Sequence, residues 1–150
     1  MNISLDLIKK LRNETSAGVS DCRQALEDAD DNYDKAKKIL LERGLEKAAK
    51  KEGKKTSQGI VEAYVHQDKV GVLVEVRCET DFVARTDEFK NLAHEIALQV
   101  CSMDPKNVAG LLTEPYIRDP KLTIMELVKQ TIAKVGENIT VTRFTRLALS

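Results

Sequence analysis

Apolar residues recur at helical spacing in the first third of the chain and at alternating spacing beyond it. Leu5, Ile8 and Leu11 predict a helix capped by Ser4, which stops near the polar stretch Thr15-Ser16-Ala17-Gly18. A second helix begins at about Ser20, with Cys22, Ala25, Leu26 and Ala29 facing inward. The turn Asp30-Asp31-Asn32 offers a cap to a third helix carrying Tyr33, Ala36, Ile39 and Leu40. Gly44 after Arg43 is read as its stop. Residues 1–44 thus form a three-helix unit, close to the smallest self-supporting core of about 40 residues.

The period then changes. Val70, Val72, Val74, Val76 and Cys78 alternate with Gly71, Leu73, Glu75, Arg77 and Glu79, which predicts a strand buried on one face. Ile60 to His66 is its expected partner, with Gln67-Asp68-Lys69 as a short hairpin loop. Helical spacing returns in Asp87–Met103 through Phe89, Leu92, Ala93, Ile96, Ala97 and Val100. Pro105, Gly110, Pro115 and Pro120 mark an irregular connection. Thr123 caps a further helix through Met125, Leu127, Val128, Ile132 and Val135, ended by Gly136, and Ile139–Leu149 reads as a third strand. The order β-β-α-α-β gives an α+β core with helices on a small antiparallel sheet.

Charge locates the boundary between the two pieces. The chain has 24 Lys+Arg and 24 Asp+Glu in 150 residues, yet residues 1–44, 45–55 and 56–150 carry −1, +3 and −2. The basic stretch, with Lys47, Lys50, Lys51, Lys54 and Lys55, reads as a brief helix passing into a Gly-containing linker, and it makes 45–58 the linker and 59–150 the second domain. Its plain reading is a solvated face, and contact with an acidic partner is the alternative. Overall neutrality argues against a nucleic-acid or anionic-lipid coat. No apolar run nears the roughly 20 residues a bilayer span needs. The helical, mixed-charge start is not expected to be a signal or transit peptide. Cys22, Cys78 and Cys101, odd in number and far apart, suit reduced thiols and a cytoplasmic location.

Catalytic chemistry is hard to find. No two cysteines have zinc-finger spacing, and His66 and His94 fall on different elements, so no metal site is expected. There is no Gly-x-Ser-x-Gly elbow. Gly53-Lys54-Lys55-Thr56 shares residues with a phosphate loop, but Ala48 holds the place of the upstream glycine and Lys55 follows Lys54. No cofactor is expected. What remains is Thr80-Asp81-Phe82-Val83-Ala84-Arg85, directly after the best strand. Phe82 either tucks into the core or stands out as a probe for a partner, where aromatic anchors carry binding energy.

Three motifs carry a resemblance. Cys78-Glu79-Thr80-Asp81-Phe82-Val83-Ala84-Arg85 resembles the signature of the elongation factor Ts family. Leu11 to Leu26, through Arg12, Thr15, Ala17-Gly18, Asp21-Cys22-Arg23 and Ala25, is similar to that family's amino-terminal pattern. Gly136-Glu137-Asn138-Ile139, followed by Arg143-Phe144-Thr145-Arg146, is similar to its carboxy-terminal strand.

The resemblance implies a protein that is not an enzyme in the bond-making sense. It would be a guanine-nucleotide exchange factor, binding GDP-bound and nucleotide-free elongation factor Tu and promoting GDP release by displacing magnesium. Residues 1–44 would be a ubiquitin-associated-like domain touching the partner through Arg12, Val19 and Ser20, where some members have a bulkier apolar pair at the last two positions. Thr80, Asp81, Phe82 and Val83 would act at the partner's magnesium site. A helical hairpin of the family, before the carboxy-terminal segment, is missing or reduced here. The single core half implies a homodimer, with neither nucleic acid nor membrane as partner. The residues alone leave open a peptide-binding adaptor or an RNA-binding module, although Tyr64 and Phe144 are the only candidate stacking aromatics on the strands.

Overall fold

The computed structural model describes residues 3–15 and 17–150, so Ser16 of the expected first helix stop lies outside it. Three helices, α1 (Leu5–Thr15), α2 (Val19–Asp28) and α3 (Tyr33–Lys51), open the chain. Ile8, Leu11, Cys22, Ala25, Leu26, Ala29 and Ala36 form their common core. Leu5, expected inside, is exposed because it lies at the first position of α1, beyond the reach of α2 and α3. Asp30 and Asp31 turn the chain with positive φ, and the Asn32 side chain accepts a hydrogen bond from the Lys35 N–H (3.1 Å) to start α3.

Gly44 does not end α3. The helix runs on for seven residues, so the brief helix expected at the start of the basic segment is a continuation of α3 and takes up half of 45–58. A glycine stops a helix by adopting left-handed backbone. Here that option loses to packing, since Ala48 is buried in the second core and Gly44 faces Ala133. A Cβ on Gly44 would stand 3.9 Å from the Ala133 Cβ, an ordinary contact. Gly44→Ala should therefore stabilise the fold by about 0.5–1 kcal/mol, read from a thermal or urea melt.

The second core is built on a sheet of order β1-β2-β5, antiparallel throughout, from β1 (Gln58–His66), β2 (Val70–Cys78) and β5 (Ile139–Ala148). The three-residue turn Gln67–Lys69 joins β1 to β2 as expected, with positive φ at Gln67 and Asp68. Val72, Val74, Val76 and Cys78 are buried on one face, as the alternation predicts. Register decides which connections become neighbours. Val74 pairs with Glu62 and Phe144, and Cys78 lies opposite Ile139, so residues 79–80 and 137–138 leave the sheet side by side.

Against that face pack α5 (Asp87–Met103) and α7 (Ile124–Val135), with Phe89, Leu92, Ile96, Val100, Ile124 and Ile132 buried between the layers. Thr123 and Glu126 form a capping box at the start of α7, and Gly136 ends it with φ +77°. Arg146 of β5 donates to the Cys101 carbonyl, closing the end of α5 (3.0 and 3.2 Å). The expected order β-β-α-α-β is incomplete. It omits the one-turn helix α4 (Asp81–Ala84), the short α6 (Val108–Thr113) and a small hairpin of β3 (Pro115–Tyr116) and β4 (Asp119–Thr123). These last three elements occupy the Pro- and Gly-marked connection, and Gln99 ties them to α5 by donating to the Pro115 carbonyl and accepting from the Ile117 N–H. The sheet's other face is open, exposing Val61, Val65, Leu73 and Leu147.

Candidate partner-binding site

A helix of four residues has no internal partner for its first N–H groups and holds together only if its ends are capped. Threonine supplies both caps of the turn that comes after β2. The Thr80 hydroxyl accepts from the Val83 N–H (3.2 Å) at the start of α4. At its other end Thr86 donates to the Val83 carbonyl (2.7 Å) and accepts from the Phe89 N–H (3.3 Å) to begin α5. Val83 and Ala84 are buried, each about 5% exposed, and pin the turn to the core. Of the four residues expected at this site, Val83 thus serves as an anchor and Thr80 as a cap.

The other two face outward. Phe82 is 73% exposed, far from the core position that was one of its two readings. Asp81 beside it pairs with Arg85 one turn on (3.3 Å), both side chains well exposed. An exposed ion pair of this kind holds little energy, so Asp81 can exchange Arg85 for another partner.

Beneath the turn the supports are polar and close-set. Thr80 donates twice to Glu137, from its N–H (3.0 Å) and from its hydroxyl (2.7 Å). In return the Asn138 N–H donates to Glu79 (2.9 Å). The Asn138 side chain reaches the Lys54 carbonyl (2.8 Å), joining the end of the basic segment to the same knot. The buried Cys78 thiol donates to the Thr80 carbonyl (3.1 Å). Burial, reinforced by nearby Glu137, pushes that thiol up to about 11, so it stays protonated and is no nucleophile. In the sequence Glu137 stands out only as part of a motif. The pairing of β2 with the last strand is the signal that could have placed it here.

Arg12, Val19 and Ser20 lie in the first unit, on α1 and at the start of α2, all exposed. Val19 joins Leu5 as an uncovered apolar side chain on that unit. These residues and the Asp81-Phe82 pair lie on the surfaces of units with separate cores, bridged by α3.

The histidines take up local roles. His66 hydrogen-bonds the Tyr64 hydroxyl (2.8 Å), and His94 stands edge-on to the Tyr64 ring with Glu62 at 3.8 Å. Among the described residues no group of three or more His, Cys, Asp or Glu could hold a metal ion.

A sequence model of the family described as Elongation factor TS matches residues 79–150, the stretch from Glu79 through β5. Among curated proteins, Elongation factor Ts of Coprothermobacter proteolyticus is 43% identical over an alignment of 195 positions, covering 99% of both chains. The protein of that name from Thermotoga neapolitana is 40% identical, covering 97% of this chain and 96% of its own. That from a Thermoanaerobacter species is 39% identical over 96% and 93%. An alignment of 195 positions against 150 residues leaves part of the Coprothermobacter protein without a counterpart here. The sequence motifs and the near end-to-end similarity agree: this chain belongs to the elongation factor Ts family.

Proposed function

We propose that this chain promotes release of GDP from elongation factor Tu during translation elongation, by disturbing the magnesium ion that helps hold the nucleotide. The observation that carries the reading is Phe82, a large apolar ring held outward on a turn capped at both ends. Leaving such a ring in water gains the free protein nothing, whereas a pocket in a partner would bury it.

A GTPase holds GDP through phosphate contacts and a magnesium ion bridging phosphate and protein oxygens. In this reading Phe82 enters between elements of the partner, and Asp81 disturbs the groups that order the magnesium waters. Phosphate charge is then less well compensated and GDP leaves. No bond is made or broken, so the chain accelerates exchange without being an enzyme, and it needs no cofactor. Arg12, Val19 and Ser20 provide a second contact on the guanine-nucleotide domain.

Coupling must run both ways: a factor that weakens GDP binding is itself weakened by GDP by the same factor. The test is release of fluorescent GDP from elongation factor Tu, with titrations of GDP-bound and nucleotide-free partner. Equal affinity for the two states would sink the proposal.

The open sheet face supports a homodimer. Val65 and Leu147 flank Gly71 in one row, Leu73 comes in the next and Val61 in the one beyond. Two such faces laid together would bury apolar side chains that water now covers. At one end of the face the Glu75 carboxyl, held below the usual range by the Thr142 hydroxyl and then Arg77, keeps the surface polar. Leu73→Asp should convert a dimer to a monomer by light scattering at tens of micromolar. A wild-type chain of monomer mass there would overturn this part.

No helix among the described residues is long and apolar enough to cross a membrane. We place the chain's work in the cytoplasm, with the translation machinery, and give it neither a membrane nor a nucleic acid as partner.

A further inference from the structure

We infer that Glu137 is the positioning residue for the exposed Asp81-Phe82 pair, acting through Thr80; the inference rests on the exchange function proposed above. Glu137 lies 57 residues from Thr80 and touches neither Asp81 nor Phe82 by hydrogen bond. Yet both of its carboxylate oxygens are spent on one residue, Oε1 on the Thr80 N–H (3.0 Å) and Oε2 on its hydroxyl (2.7 Å). Thr80 is the cap from which the Asp81-Phe82 turn springs.

The hydroxyl does double duty. Its single proton goes to Glu137 while its oxygen receives the Val83 N–H (3.2 Å). A threonine hydroxyl otherwise turns freely about its C–O bond. Fixing the proton on Glu137 leaves a lone pair directed at Val83, so the carboxylate sets the geometry of the cap as well as the position of the backbone. Bonds to an ionised acceptor are shorter and stronger than neutral ones, which suits the 2.7 Å contact.

Glu137 is itself held. Gly136 before it has left-handed backbone, and Asn138 after it is tied to Glu79 and to the Lys54 carbonyl. The exchange of carboxylates, Glu137 to residue 80 and Glu79 to residue 138, staples two connections that leave the sheet side by side. A turn of four residues without these ties would sample several directions for the ring. Only the fraction aimed correctly would bind, and apparent affinity falls by that fraction.

The test uses Glu137→Ala, Glu137→Gln, Phe82→Ala and the double variant Glu137→Ala with Phe82→Ala in the full chain. In Glu137→Ala, hydrogen exchange at the Thr80 and Val83 amides should accelerate about tenfold or more while Val74 and Ile96 keep their protection. Its affinity for nucleotide-free elongation factor Tu, by calorimetry, should fall about tenfold. Glu137→Gln, which keeps one acceptor oxygen, should lie between it and wild type; it also serves if the alanine variant loses core protection. In the Phe82→Ala background the Glu137→Ala change should cost little further affinity, because the ring it positions is gone.

Unchanged Thr80 and Val83 exchange overturns the inference. So does an affinity loss that persists in full without Phe82. A wild-type chain that leaves GDP release unaltered overturns the exchange reading instead, and positioning is then judged on the amide measurements alone.

Discussion

Replacing Phe82 with alanine should leave the melting temperature of the protein near that of wild type and, under the proposed exchange function, should remove most of its stimulation of GDP release. Both halves rest on one number, the 73% exposure of the ring. A side chain already in water gives up little buried area when truncated, so the large cost of core deletions does not apply. Its neighbours Val83 and Ala84 stay buried, and the caps at Thr80 and Thr86 do not involve the ring. In a partner pocket an aromatic anchor is worth about 2 kcal/mol or more, roughly thirtyfold in affinity. GDP release should slow by a larger factor than binding weakens, because the lost contact favours the nucleotide-free state in particular. Excess magnesium should widen the gap between variant and wild type, since it opposes the step that Phe82 assists. A destabilised Phe82→Ala with normal exchange per folded molecule would end this account.

The opposite result is expected at the next phenylalanine, in the first turn of α5. Phe89 is fully buried between α5 and the sheet, and its N–H donates to the capping Thr86. Phe89→Ala opens a cavity there and should cost about 3–5 kcal/mol. For a domain of this size the melting temperature should fall by about 10 °C or more. That is a large share of the roughly 5–15 kcal/mol by which such proteins are stable. Exchange activity should decline only in proportion to the folded fraction. A Phe89→Ala protein that melts with wild type would mean the core around α5 is packed otherwise than described.

The contrast between the two phenylalanines also measures what could be read from sequence. Phe89 falls on a run with sustained helical spacing, and such runs reach their periodic fate because burial dominates. The same holds for β2, whose alternation carries through to Val72, Val74, Val76 and Cys78. In α7 the capping residue, the apolar stripe and the final glycine all point one way. Gly44 misleads because a local stop signal is outweighed by the distant surface of α7, which no local pattern reports. The short elements α4, α6, β3 and β4 show no period, and only their caps or their tertiary ties hold them.

At the site, Asp81 and Phe82 are legible as an acid and a ring leaving a rigid strand. Thr80 and Val83, expected at the same site, also hold the turn in place. That division depends on which way the first turn of α4 faces. Such a turn is set by the Thr80 cap and by Glu137, 57 residues further along the chain.

The uninterrupted third helix has a consequence for how tightly a partner is held. Its 19 residues, about 28 Å of rigid rod, carry Ala36 in one core and Ala48 in the other. For a partner that engages both Val19 and Phe82, the first contact delivers the second at a fixed span and bearing instead of over the wide sphere a flexible tether would sweep. The effective concentration of the second contact is then set by the stiffness of the rod, and two individually weak surfaces act as one strong one only on a partner whose own sites match that span.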